Sequence, residues 1–236
     1  MHTRALILYA RPPVLGRVKS RLQPALSPEE GLDLYRAMLA DSLERMTRLS
    51  HGLAVPFVSW SEPYRPSGDL ANLLGAVTVE VQRGDDLGER MATTLQTRLQ
   101  AGFTQVVFIG SDSPNLPLEY IRKAFGALQS DDIVLGPAAD GGYCLLGCRR
   151  MHPNLFQAMP WGTEKVLKIT RQRIKSSNIS YRELPAWYDV DSPPDVARLW
   201  QDLQHMSAKG SVDLPRRTFE LLAKLVPRRP DLAASS

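Results

Sequence analysis

Short β-rich apolar runs alternate with amphipathic stretches along this chain, and that alternation limits the folds open to it more than any other feature. The runs are ALILYA (5–10), LAVPFVSW (53–60), AVTVEVQ (76–82), QVVFIG (105–110), DIVLGP (132–137), GYCLLGC (142–148) and ISYREL (179–184). Helical patterns separate most of them. Ser27, Pro28 and Glu30 read as an N-cap, a first-position proline and the closing acid of a capping box. Leu32, Tyr35, Leu39, Leu43, Met46 and Leu49 then recur at helical spacing. A second helix carries Leu87, Met91, Leu95 and Leu99 and stops at Gly102. Further helices are expected over about 117–128 and 163–176, and another is expected from Ser192-Pro193 onward, with Asp195 in its first turn. Strands alternating with helices predict an α/β protein with a mostly parallel sheet covered on both faces.

Composition adds bounds. The 236 residues are 43% apolar, enough for one large core, and one domain over 1–206 is expected. Residues 207–236 read as a short helix (217–225) and a frayed tail. A net charge of +4 suits an acidic small ligand better than nucleic acid, because no block of like charge stands out. Cys144 and Cys148, four apart in a strand, would point the same way but too far apart to bond; two buried free thiols in a reducing compartment are expected. No leader or membrane span is expected, and the predicted location is the cytoplasm.

The chemistry-bearing residues follow the strands, where open α/β sheets bind ligands. After the first strand comes ARPPVLGRVKSRL. Gly16 permits close backbone approach, and Arg17, Lys19 and Arg21 alternate, so an extended segment would aim all three one way. Guanidinium forks and an ammonium suit phosphate oxygens; a basic surface loop fits the same residues equally well. After the fourth run, Asp112 in SDSPNLP suits a hard divalent cation, but an Asx-turn or helix cap explains the motif at least as well. Asp140-Gly141-Gly142 marks a tight turn, a hairpin or a close approach to ligand. Asp189 and Asp191 alternate in WYDVDSPPD, so their like charges repel unless a cation sits between them; capping of the next helix competes for Asp191. In QRGDDLGERM, Gly84, Asp85 and Gly88 shape an entry to a helix N-terminus that could face an anion or a base, while Glu89 and Arg90 could simply pair with each other.

Six segments, ARPPVLGRVKSRL, GDDLGERM, FIGSDSPNLP, LGPAADGGYCLLG, PWGTEKVL and YDVDSPPDV, occur in the order seen in a bacterial family of glycosyltransferase-A-like proteins. That family is labelled as nucleotide-diphospho-sugar transferases, and some of its members are named arsenosugar-biosynthesis glycosyltransferases. The chain is similar, more distantly, to molybdenum-cofactor and phospholactate guanylyltransferases. The resemblance covers residues 4–200 and implies a Rossmann-like mixed sheet of the GT-A type. It implies that Gly16, Arg17, Lys19 and Arg21 cradle nucleotide phosphates and that Gln82, Gly84 and Asp85 lie near the base or ribose. Asp112 matches a metal-holding Asp for Mg²⁺ or Mn²⁺, with Asp189 or Asp191 as a second carboxylate. Asp140, Gly141, Gly142 and Tyr143, with Trp161, Gly162 and Thr163, would line the acceptor side, and Asp140 and Lys19 are the candidate catalytic groups. The family usually has Lys at Arg11 and Thr at Ser20. A further departure is that Asp112-Ser113-Pro114 lacks the Asp-x-Asp of metal-dependent glycosyltransferases. The first expectation is a glycosyltransferase using a nucleotide-diphospho-sugar and a small-molecule acceptor. The alternatives are a nucleotidyltransferase and a non-catalytic nucleotide-binding protein.

Overall fold

The structure is a computed structural model and describes residues 3–23, 25–75, 77–229 and 232. Its strands are β1 (Arg4–Ala10), β2 (Val55–Trp60), β3 (Thr78–Val81), β4 (Gln105–Gly110), β5 (Ile133–Pro137), β6 (Tyr143–Cys148) and β7 (Tyr181–Glu183). They form one mixed sheet in the order β3-β2-β1-β4-β6-β5-β7, in which β6 runs antiparallel to both of its neighbours and the other pairings are parallel. The first two strand pairings with β1 run in register along nearly its whole length, from Ala5 opposite Val55 and Arg4 opposite Gln105.

The helices are α1 (Pro28–Leu53), α2 (Gly68–Leu74), α3 (Leu87–Gln100), α4 (Leu118–Ala127), α5 (Val166–Ser176), α6 (Pro193–Ala208) and α7 (Arg216–Leu225). Strand alternation divides the core. Leu6, Leu8, Val107 and Ile109 face one side, where α1 and α4 supply Leu39, Leu43, Ile121 and Phe125. Ala5, Ile7, Val106 and Phe108 face the other, against Met91 and Leu95 of α3 and Leu167 and Ile174 of α5. The central parallel strands β1 and β4 are buried on both faces, as helix-covered sheets require, whereas the edge strands β3 and β7 are largely accessible. A third apolar cluster lies outside α1, where Leu34 and Met38 meet Val196, Leu199 and Leu203 of α6 and Leu222 and Leu225 of α7. Helix α1 is thus buried on two faces.

Several expectations need correction. Helix α1 runs on to Leu53, so β2 begins at Val55 rather than at 53. Helix α2 is an addition to the expected elements: it is only seven residues long, and its stripe of Leu70, Leu73 and Leu74 packs on the first cluster. Cys144 and Cys148 do not point the same way: Cys144 faces the first cluster and Cys148 the second. The register between β5 and β6 shifts at Gly136/Pro137, which gives β6 an extra residue and reverses its parity. Both thiols are free and buried, as expected. Ala76 of the third run, and most of the expected tail beyond Arg229, lie outside the described residues. Among the described residues no helix is long and apolar enough to cross a membrane.

Candidate functional site

The sheet order sends the chain from β1 outward to β2 and β3, then back across to β4 on β1's other side. That reversal leaves a crevice beyond the carboxyl ends of β1 and β4, the place where open α/β sheets take ligands. The loop after β1 and the loop after β4 therefore face one another. Between them lies a cleft of about 360 Å³ lined by Arg11, Arg17, Lys19, Arg21, Asp112 and Asp191.

Lys19 is its centre. Its side chain is 3% exposed and forms an ion pair with Asp112. Its Nζ also donates to the Val190 carbonyl at 2.7 Å and lies 3.6 Å from Asp191. The Lys19 backbone is left-handed (φ 52°), a conformation that costs a non-glycine residue about 1–2 kcal/mol and turns the side chain inward here. The segment is consequently a turn leading into a 3-10 helix over Ser20–Leu22, not an extended strand. This corrects the expectation that alternation aims the three cations one way. Arg17 forks onto Glu62, at 2.9 and 3.0 Å. Arg21 stays 77% exposed, 3.7 Å from Asp191.

A third loop completes the cleft. Trp187 bridges to Ala138, and the Val190 amide donates to the Asp112 carbonyl at 2.9 Å. The Ser113 hydroxyl lies 2.9 Å from the Tyr188 carbonyl and 2.6 Å from Asp189. Asn115 donates to the Tyr188 hydroxyl at 2.7 Å, and that hydroxyl donates to Asp202 of α6. The loops 111–115 and 187–191 thus form one hydrogen-bonded unit, which brings the distant carboxylates Asp189 and Asp191 beside Asp112. Burial pushes Asp189 up to about 6, helped by the charges of Asp112, Asp140 and Asp191 and opposed by Ser113. Burial also raises Asp191, against the pull of Lys19. Asp191 therefore faces the cations, while the next helix is capped by Ser192, whose amide donates to Asp195 at 2.8 Å.

Among the described residues no three His, Cys, Asp or Glu side chains stand together closely enough to hold a metal ion unaided. Asp112 and Asp191 are the half-exposed pair, 39% and 44% accessible, with the ammonium of Lys19 between them. One or two carboxylates completed by water and phosphate oxygens is the usual donor set for Mg²⁺, so this pair fits such an ion bound together with a polyphosphate.

The other candidates fall into two places. Asp140 Oδ1 accepts from the Gly142 amide at 2.9 Å, an Asx-turn. Gly141 has φ 88°, and a Cβ there would meet the Glu164 carbonyl at 2.3 Å, so only glycine lets this turn dock on the 161–167 segment. The Leu167 amide donates to the Gly141 carbonyl at 2.9 Å, and Tyr143 packs edge-on to Trp161. Asp140, Gly141, Gly142, Tyr143, Trp161, Gly162 and Thr163 thereby fall in one region of the fold, and none of them lines the cleft. Thr163 donates to the Pro160 carbonyl. Gln82, Gly84 and Asp85 do not line the cleft: Gln82 donates to the Ser59 carbonyl at 2.8 Å, and the Gly84 carbonyl accepts from Arg90 at 2.9 Å. The α3 N-terminus is already filled by Asp86, which accepts from the Glu89 amide. Glu89 accepts from the Asp85 amide, so Glu89 and Arg90 serve the backbone rather than pairing with each other.

Sequence reading missed Tyr35, whose hydroxyl accepts from the Arg11 amide and donates to its carbonyl at 3.0 and 2.9 Å. It also missed Arg45, which is 4% exposed and whose two terminal nitrogens each lie 2.6 Å from a carbonyl of the Asp112 loop, Pro114 and Leu116. A cation beside the apolar stripe of α1 was the available signal.

A family profile described as an uncharacterized protein conserved in bacteria (DUF2064) matches residues 46–163. The chain is 27% identical over 214 residues to a 2-phospho-L-lactate guanylyltransferase of Haloarcula marismortui, spanning 89% of this chain and 92% of that one. It is 28% identical over 214 residues, with the same coverage, to a 3-phospho-D-glycerate guanylyltransferase of Phenylobacterium zucineum. A solved structure from Desulfovibrio desulfuricans G20, provisionally described as a nucleotide-diphospho-sugar transferase, superposes with a TM-score of 0.83 at 30% identity, over 97% of this chain and 99% of that one.

Proposed function

Because the chain belongs to the bacterial DUF2064 family, whose fold relatives handle nucleotides, we propose that it is a transferase, and specifically a nucleotidyltransferase joining a nucleoside monophosphate from GTP to a small phosphorylated acid. The observation that carries this reading is the convergence of Lys19, Asp112 and Asp191 in one cleft. The second carboxylate comes from a remote loop rather than from Asp-x-Asp, as the Ser113-Pro114 sequence requires. Two relatives matched over 89% of the chain are guanylyltransferases.

In this reading an oxygen of the acceptor phosphate attacks the α-phosphorus of GTP. One new P–O bond forms, the bond between the α-phosphorus and its bridging oxygen breaks, and pyrophosphate leaves. Lys19, Arg17 and Arg21 hold the β- and γ-phosphates, and their fixed charge meets the negative charge that builds on the leaving group. Gly16 lets the turn approach the phosphates. Asp112 and Asp191 hold Mg²⁺ or Mn²⁺, with Asp189 behind them held by Ser113. When bound, such an ion neutralises triphosphate charge and orients the α-phosphate. Lys19 exchanges its carboxylate partner for a phosphate oxygen as the nucleotide enters. Asp140 to Tyr143 and Trp161 to Thr163 form the acceptor side, with Asp140 orienting the turn that receives it; Gln82, Gly84 and Asp85 support the wall nearest the ribose.

Glycosyl transfer from a nucleotide-diphospho-sugar is the second reading, favoured by the likeness to the Desulfovibrio protein. Product analysis separates the two: pyrophosphate from GTP supports nucleotidyl transfer, whereas nucleoside diphosphate from a nucleotide-sugar supports glycosyl transfer. Lys19→Ala and Asp112→Ala should each lower turnover by about 100-fold or more while circular dichroism stays unchanged. Unaltered turnover in either variant removes that residue from the mechanism.

A further inference from the structure

Beside the phosphate cleft lies a second cavity of about 250 Å³, lined by Arg11, Pro12, Arg17, Ser61, Glu62 and Arg90. Arg11 and Arg17 line both spaces, so the two are neighbours. Ser61 and Glu62 follow β2 directly, which puts them at the same carboxyl-end rim as the cleft. A ligand with phosphates beside Lys19 has this cavity within reach of its other end. Its single carboxylate, Glu62, is half-exposed and engaged fork-to-fork by Arg17, at 2.9 Å from Oε1 and 3.0 Å from Oε2.

That pairing is chemically informative. A guanidinium presents two parallel N–H groups on one carbon. Guanine presents the same pattern, N1–H and the 2-amino group flanking C2. From this likeness we infer that Glu62 reads the Watson–Crick edge of a guanine base, and that Arg17 holds the place of that edge until the nucleotide arrives. The inference rests on the nucleotidyl-transfer reading and deepens it by assigning a specificity-determining residue. When guanine takes the carboxylate, Arg17 is released toward the phosphates next door, so base recognition and phosphate binding are coupled through one side chain.

The rest of the cavity complements the same base. Arg90, anchored through Nε to the Gly84 carbonyl at 2.9 Å, and Arg11 bring cationic donors. Guanine offers O6 and N7 as acceptors, and Arg is the usual partner for that pair. Adenine would set the lone pair of its N1 against the Glu62 carboxylate. It also lacks the second donor, so the carboxylate disfavours it.

Binding measured by titration calorimetry on the full chain with Mg²⁺ tests this with four triphosphates. GTP should bind about 10-fold or more tightly than ITP, which lacks only the 2-amino group, and than ATP. Glu62→Gln should erase the preference of GTP over ITP. It should also favour XTP over GTP, because the amide nitrogen can donate to the carbonyl that xanthine carries at C2. Equal affinity of the wild type for GTP and ITP, or an unchanged preference in Glu62→Gln, overturns the assignment of Glu62 and leaves nucleotidyl transfer standing. Failure of every triphosphate to bind overturns both.

Discussion

Arg45 shows how a single residue ties the scaffold to the site. It projects from α1, yet its partners are the carbonyls of Pro114 and Leu116, two to four residues beyond Asp112. Burial draws its pKa down to about 10, so the guanidinium still carries its charge at neutral pH. Hydrogen bonds from a charged donor are worth about 1.5–3 kcal/mol, and removing the donor leaves a buried carbonyl bearing its full desolvation penalty. Arg45→Met should therefore lower unfolding free energy by about 3 kcal/mol in urea titrations, with Arg45→Lys intermediate because an ammonium cannot span both carbonyls. A Met variant as stable as the wild type would show that water replaces the guanidinium without loss.

At the scale of elements, α1 is the best-specified piece of the chain. The Glu30 amide donates to Ser27 Oγ at 3.2 Å, and the Ser27 amide donates to Glu30 at 2.8 Å, a reciprocal capping box. The same carboxylate reaches Arg229 at 2.9 Å, beyond the end of α7. The Ser27 amide, with Arg229 adding to it, holds Glu30 below its ordinary value of 4.5. The sign follows from that direction. A depressed carboxyl pKa stabilises the fold fully above pH 4.5, and the contribution is lost as pH falls through the lower, folded-state value. Stability measured against pH should drop below pH 4.5 in the wild type and drop less steeply in Glu30→Gln; identical profiles would mean that Glu30 titrates alike in both states.

For the molecule as a whole, the C-terminal helix belongs to the core rather than trailing from it. Thr218 donates to Asp41 of α1 through its amide at 2.8 Å and its hydroxyl at 2.7 Å. Leu222 is fully buried in the third apolar cluster. Leu222→Ala should cost about 2–5 kcal/mol, and thermal unfolding should remain a single transition. An unchanged melting temperature would mean that α7 is an appendage. Trp200 and Phe219, stacked at 5.4 Å, mark where α6 and α7 lean on each other.

Local patterns in this chain sufficed to identify the strands, the capped helices and a sheet covered on both faces, because periodicity and capping are written within a few residues of where they act. They also pointed to Lys19, in the loop that follows β1, and to Asp112, two residues past β4. They could not reveal that Lys19 pairs with Asp112 across 93 positions, or that Arg17 turns to Glu62. The strand order decides the first, since β1 and β4 become neighbours only when the sheet assembles. A left-handed Lys19 and the turn after β2 decide the second. The extra residue in β6 likewise reversed the cysteines, for a bulge depends on the partner strand's register and leaves no local mark in CLLGC.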